Sequence, residues 1–201
     1  GYKLNKLALR VSRLGFSGME FATGIPGTVG GAVYMNAGAY KTDIGYILTS
    51  IKVLTPDLKI KTMYNKELDF HYRSSFLQKN KDYICLEATF SLIKGNSDEI
   101  MELIEERKKR RIESQPLEYP SAGSVFRNPE GMFAGQLIEE SGLKGKKIGG
   151  AMVSEKHANF IINYKNAKSS EIKELIELVH DTVLEKYNVD MRCEQEFVNW
   201  E

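Results

Sequence analysis

A chain of 201 residues that is 42% hydrophobic and 27% charged holds enough apolar material for one or two globular domains. Its 28 basic and 27 acidic residues give a formal net charge of +1. That balance argues against a global pull toward nucleic acid or anionic membrane and leaves anion binding to local sites. The two cysteines, Cys85 and Cys193, show no metal-ligand spacing, so neither a disulfide framework nor a zinc site is expected. No apolar run approaches the ~20 residues of a membrane span and no signal peptide opens the chain, so a reducing cytoplasm is the expected setting.

Asn5 to Leu14 places Leu7, Val11 and Leu14 on one face ahead of Gly15, which predicts a short helix with glycine at its C′ position. Residues 24 to 40 then carry five glycines, a density that predicts a loop with exposed backbone amides. Within it, Ala32 to Met35 reads as either a short strand or a helical turn. Ile47–Leu54 and Leu58–Met63 alternate as strands around a Pro56-Asp57 turn, and Tyr83–Ile93 reads as a longer strand. The pattern switches near Gly95-Asn96-Ser97, where Asn96 and Glu99 are spaced as a capping pair ahead of a helix containing Ile100, Leu103 and Ile104. The domain boundary is therefore expected near residue 97, giving domains 1–96 and 97–201. The basic run Arg107 to Arg111 falls in the last turns of that helix, where cations face the dipole favourably, so it reads as a solvated face.

Further along, a helix is predicted from Ala134 to Ser141, stopped by Gly142, then strands at Gly150–Val153 and Ala158–Asn163. A long amphipathic helix starts near Ser169, with Ile172, Leu175, Ile176, Val179, Val183 and Tyr187 at helical spacing. The first part is mostly β and the second α+β.

Ser121-Ala122-Gly123-Ser124-Val125-Phe126-Arg127-Asn128-Pro129 sets one hydroxyl, Ser124, in what reads as a tight turn beside an arginine and an asparagine. Local chemistry alone leaves it a turn. Likewise the glycines of Gly24-Ile25-Pro26-Gly27-Thr28-Val29-Gly30-Gly31 could serve close packing or the approach of a diphosphate or flat ring. Their spacing is not the fingerprint that opens a βαβ nucleotide helix. Arg73 could be an ion-pair partner or a carboxylate fork.

These segments together resemble one family. The stretch Gly24 to Tyr40, Phe70-His71-Tyr72-Arg73-Ser74-Ser75, the Ser124 segment, Gln115 to Pro120, Leu143-Lys144-Gly145, Ile148-Gly149-Gly150, Ser154 to Phe160 and Glu194-Gln195-Glu196-Phe197 occur in order. They are similar to the UDP-N-acetylenolpyruvoylglucosamine reductases, also called UDP-N-acetylmuramate dehydrogenases, of bacterial cell-wall precursor synthesis. The resemblance implies the rear half of a vanillyl-alcohol oxidase-like FAD-binding domain followed by an α+β substrate-binding domain. It implies FAD as cofactor, NADPH as reductant and UDP-N-acetylglucosamine enolpyruvate as substrate, with no metal.

By the same resemblance, Arg73, Ser124 and Glu194 are catalytic. Arg73 would grip the enolpyruvyl carboxylate, Glu194 would stabilise the enediolate-like intermediate, and Ser124 would protonate the carbon beside the carboxylate. Arg127 and nearby amides are candidates to assist that hydroxyl. Gly24, Ile25, Pro26, Gly27, Thr28, Gly30, Gly31, Asn36 and Gly38 would contact FAD; Tyr72, Tyr119, Asn128, Lys144 and His157 would bind substrate. His71 and His180 are left structural.

The chain departs from the family in two respects. Cys193 stands where a proline usually precedes the glutamate, and the N-terminal portion with a further glycine-rich loop is missing, so the chain is expected to be the rear two-thirds of a member. No tyrosine-bearing insertion fits between Ile148 and Asn163, which indicates the shorter family type. The alternative is a flavin-free UDP-sugar-binding module; a general flavin oxidase of the same superfamily is disfavoured by the order of Ser124, Lys144, His157 and Glu194.

Overall fold

In the computed structural model, which describes residues 1–200, the first helix α1 spans Leu4–Arg13. Its buried stripe is Leu4, Ala8 and Ser12, at the four-residue spacing that keeps side chains on one face. Leu7 and Val11 are half-buried beside it, whereas Leu14 is exposed because it lies past the last helical residue, out of phase with that face. Gly15 follows with φ +78°, as the C′ position requires.

Residues 1–109 form one compact unit and residues from 110 onward a second. In the first, a two-residue strand β1 (Phe16–Ser17) precedes α2, Val29–Met35. The glycine-rich stretch is thus helical at its centre: Ala32 to Met35 take the helical alternative, and the helix starts earlier, at Val29, within what was expected to be loop. Thr28 explains why: its hydroxyl accepts from Gly31 N at 3.1 Å, and the extended Thr28 caps a helix whose first turn tolerates Gly30 and Gly31. Asn36 ends the helix in the left-handed conformation, φ 44°.

A hairpin of β2 (Gly38–Ala39) and β3 (Thr42–Asp43) leads through α3 (Ile44–Ile47) into the main sheet. There β4 (Leu48–Leu54) is the central strand, flanked antiparallel by β5 (Ile60–Tyr64) and β6 (Ile84–Phe90), with α4 (Phe76–Lys79) in the connection. Ile51 and Val53 point into a core shared with Leu4, Val33, Ile44 and Leu77. β7 (Ile93–Lys94) pairs with β1, so the long strand expected from Tyr83 to Ile93 is broken in two. Helix α5, Ser97–Ser114, begins where Asn96 Oδ1 accepts from Asp98 N at 2.8 Å. The units divide within this helix, between Lys109 and Arg110.

The second unit is an antiparallel sheet in the order β8-β11-β10-β9, with β8 at Ser121–Ser124, β9 at Lys147–Ile148, β10 at Ala151–Val153 and β11 at Phe160–Asn163. Ser121 to Ser124 is therefore an edge strand and not the tight turn expected; its partner, β11, lies some forty residues on, beyond local sequence reading. Helix α6 (Ala134–Glu140) and helix α7 (Ser169–Tyr187) complete the unit. Leu175, Val179 and Val183 of α7 share a core with Ala151, Val153 and Ile161 of the sheet. The start of α7 is held by Glu171, whose Oε2 accepts from Lys168 N and Gly150 N, each at 2.9 Å. The bond from Gly150 N and then that from Lys168 N hold the Glu171 carboxyl below its ordinary pKa. Among the described residues no helix is long and apolar enough to cross a membrane, and no group of three metal-ligating side chains occurs.

Candidate functional site

In the first unit the expected site residues fall in two places. An open groove of about 830 Å3 is walled by Thr28, Gly30 and Gly31 at the start of α2, by Leu7 and Val11 of α1, and by β6. Arg10 and Lys81 supply cationic groups at its lining, and Tyr34 and Tyr83 supply aromatic ones. Gly30 has only Cys85 close to where a Cβ would stand, so this wall is bare backbone. Gly24, Pro26 and Gly27 are exposed on the loop leading into it and Ile25 is half-buried; Gly27 has φ +115°, which a side chain would strain. Sequence reading missed Arg10, Lys81 and β6 as groove residues, and nothing local marks them.

Arg73 sits in the second place. His71 and Ser74 exchange both backbone hydrogen bonds, at 3.1 and 3.0 Å, so Tyr72 and Arg73 are the corner of a two-residue turn. Arg73 takes φ +53° there, and its Nη2 donates to the Gly38 carbonyl at 2.9 Å. Tyr72 is exposed, with the Arg73 guanidinium 5.1 Å from its ring centroid. Gly38 has to be glycine: a Cβ would lie 2.6 Å from both the Thr42 carbonyl oxygen and the Asp43 Cβ. Asn36 is 2% exposed, with its side chain spent inside the protein. Nδ2 donates to the His71 carbonyl and Oδ1 accepts from Gly45 N, each at 2.9 Å. Ser75 adds a bond from its hydroxyl to the Tyr34 carbonyl at 2.7 Å. The end of α2 and the Arg73 turn are thereby one assembly.

In the second unit the structure brings Ser124 and Glu194 onto neighbouring backbone segments. Ser124 ends β8 opposite Phe160, and the chain bends at Val125 before Phe126 forms an isolated bridge. The C-terminal segment runs along this continuation. Glu194 N donates to the Val125 carbonyl at 2.8 Å, Arg127 N donates to the Arg192 carbonyl at 2.9 Å, and Phe126 pairs with Cys193. Ser124 is exposed and Glu194 half-buried. Cys193, at the position of the usual proline, keeps the register, and burial pushes its thiol pKa up.

His157 lies in the turn before β11. Its backbone N–H and that of Lys156 donate to Ser154 Oγ, at 3.3 and 3.1 Å. Asn159 N donates to His157 Nδ1 at 3.2 Å, which leaves the proton of the neutral ring on Nε2. Burial lowers the His157 pKa, and the nearby Lys144 charge lowers it further against the opposing effect of Glu139. Lys144 is held by Glu139 at 2.7 Å. Asn128 Oδ1 accepts from Ala134 N at 3.0 Å, tying the chain after Ser124 to the start of α6. Tyr119 packs against Tyr164 with ring centroids 5.8 Å apart and the rings tilted by 45°. Ser124 to Phe126, Glu194, Asn159 and His157 are thus linked by hydrogen bonds, with Lys144 close enough to His157 to act on its charge. Asn159 joins them although its sequence position assigned it no role.

A family profile described as "UDP-N-acetylenolpyruvoylglucosamine reductase, C-terminal domain" matches residues 115–198. Curated relatives named UDP-N-acetylenolpyruvoylglucosamine reductase include those of Anoxybacillus flavithermus and Halalkalibacterium halodurans, each 50% identical over 198 residues and 98% of this chain. The chain spans 66% and 65% of their respective lengths. A crystal structure of UDP-N-acetylenolpyruvylglucosamine reductase from Thermus caldophilus superposes with a TM-score of 0.85 at 36% identity, covering 96% of this chain and 69% of the other.

Proposed function

Because the chain belongs to the UDP-N-acetylenolpyruvoylglucosamine reductase family, we propose that it carries out the family's chemistry: FAD-dependent, NADPH-consuming reduction of UDP-N-acetylglucosamine enolpyruvate to UDP-N-acetylmuramate, a step of peptidoglycan precursor synthesis in the bacterial cytoplasm. The observation that carries this reading is the pairing of Glu194 with Val125, which sets an acid and the Ser124 hydroxyl on adjacent backbone segments. Residues 1–109 are read as part of a vanillyl-alcohol oxidase-like flavin domain and the remainder as the substrate domain.

The residues of the first unit fit an FAD. The groove offers a side-chain-free wall at Gly30, apolar and aromatic flanks for a ring system, and Arg10 and Lys81 for a diphosphate. When bound and reduced by NADPH, FAD supplies the hydride for the terminal carbon of the enolpyruvyl ether. Asn36 serves this region from within, by fixing the end of α2.

This chain's residues handle the charge and the proton. Arg73 offers a planar fork to the substrate carboxylate, the geometry suited to two oxygens. As negative charge moves onto that carboxylate, Glu194 and Arg73 together stabilise the enediolate. Ser124 Oγ gives its proton to the carbon bearing the carboxylate and regains one from solvent. Lys144, His157 as a neutral Nε2–H donor, Asn128, Tyr72 and Tyr119 bind the UDP-sugar.

The reading is tested by incubating the full-length protein with FAD, NADPH and the enolpyruvyl UDP-sugar and weighing the product. A gain of two hydrogens on the UDP-sugar, dependent on FAD, is expected. Tight UDP-sugar binding with no flavin uptake and no mass change would instead identify a flavin-free binding module.

A further inference from the structure

We propose that Asn159 is a positioning residue for this reaction, its carboxamide clamping the Phe126 peptide so that Ser124 and Glu194 stay in register. The proposal rests on the roles given above to Ser124 and Glu194. Asn159 is 4% exposed and stands one residue beyond the last β8–β11 pair, Phe160 with Ser124. There the ladder would end. The Asn159 carbonyl accepts from Val125 N at 2.9 Å, and its side chain then takes the place of a further residue of strand. Oδ1 accepts from Phe126 N at 2.9 Å while Nδ2 donates to the Phe126 carbonyl at 2.8 Å. Only this amide orientation satisfies both groups. Phe126 is itself 2% exposed, so without the carboxamide its N–H and C=O would be buried and unbonded.

The clamp matters to chemistry because of what lies on the other edge. Val125 to Arg127 is held from one side by Asn159 and from the other by Arg192 to Glu194. The three residues thus transmit the position of Asn159 to Glu194 on one flank and to Ser124 next along the chain. Asn159 N also donates to His157 Nδ1, so the same residue orients a proposed substrate contact.

The test uses the full-length protein and the variant Asn159→Asp. At neutral pH the carboxylate keeps the bond to Phe126 N but opposes the Phe126 carbonyl with an oxygen; when protonated, it can donate there as the amide does. Expected are NADPH-driven flavin reduction within about twofold of wild type and substrate-driven reoxidation slowed on the order of 10²-fold, the scale of a small misplacement of reacting groups. KM for the enolpyruvyl UDP-sugar should hold within about threefold, and the reoxidation rate should recover as pH is lowered. Independently of the flavin, amide hydrogen exchange should quicken at Phe126 and Glu194 together. Unchanged reoxidation, equal slowing of both half-reactions, or a Glu194 amide indifferent to the substitution overturns the proposal. Should the Asp variant fail to fold, Asn159→Ser is read by the same criteria. A wild-type protein that the substrate never reoxidises refutes the functional reading itself, an outcome visible before any variant is made.

Discussion

Asn36 Nδ2 donates to the carbonyl of His71 at 2.9 Å, joining the end of the glycine-rich helix to the turn that carries Arg73. The bond works with a second, from Gly45 N to Asn36 Oδ1, and with a left-handed backbone that asparagine tolerates better than most residues. Asn36→Ala should therefore cost about 2–4 kcal/mol, since it strips partners from two polar groups and places a Cβ-bearing residue without a compensating bond at positive φ. Urea denaturation of variant and wild type measures it. A loss below about 0.5 kcal/mol, the range of an ordinary surface change, would show the junction to be incidental.

Arg73→Lys keeps the charge and discards the fork. The ammonium cannot hold the Gly38 carbonyl and two carboxylate oxygens in one plane. Steady-state kinetics should show kcat/KM for the enolpyruvyl substrate reduced by about 10- to 100-fold, the worth of one charged hydrogen bond. Full activity in the lysine variant would remove Arg73 from the carboxylate.

Ser124 is exposed at the end of an edge strand, so Ser124→Ala should leave stability nearly unchanged. NADPH-driven flavin reduction should be retained while reoxidation by the substrate slows about 10²- to 10⁴-fold, as for a lost general acid. Stopped-flow absorbance separates the two half-reactions. Equal slowing of both would contradict the proton-donor role.

His180 lies between two carboxylates, with Nε2 2.9 Å from Asp190 Oδ1 and Nδ1 2.9 Å from Asp181 Oδ1. Both contacts are hydrogen bonds only if both ring nitrogens carry protons. Asp190 and then Asp181 raise the His180 pKa above its ordinary value. With the folded value above the unfolded one, the stabilisation is fully present below about pH 6.5 and disappears as pH rises through the folded pKa. Denaturation midpoints across that window should converge between wild type and His180→Gln at high pH and separate at low pH. Parallel curves would show the pair to be energetically silent.

Much of this was legible from residue spacing. The amphipathic period from Ile172 to Tyr187 corresponds to α7, and the alternation on either side of Pro56-Asp57 to β4 and β5. The glycine-rich segment misled because composition counts Gly30 and Gly31 against a helix, whereas one capping hydroxyl at Thr28 starts it. β8 was hidden because a strand of Ser, Ala and Gly has no periodicity of its own and exists through its pairing with β11. The same holds for the site. Ser124 and Glu194 were picked out by resemblance, but the bond joining their segments spans about seventy residues of sequence. Asn159 lay inside a quoted motif, and its role depends on a peptide group, at Phe126, that no side-chain pattern reveals.

The most direct test of the reductase assignment is the visible spectrum of the full-length protein with FAD, taken anaerobically through addition of NADPH and then of the enolpyruvyl UDP-sugar. The account predicts a bound flavin that bleaches with NADPH and regains its colour with the UDP-sugar. A flavin that stays bleached after substrate is added, or a protein that takes up none, would contradict it.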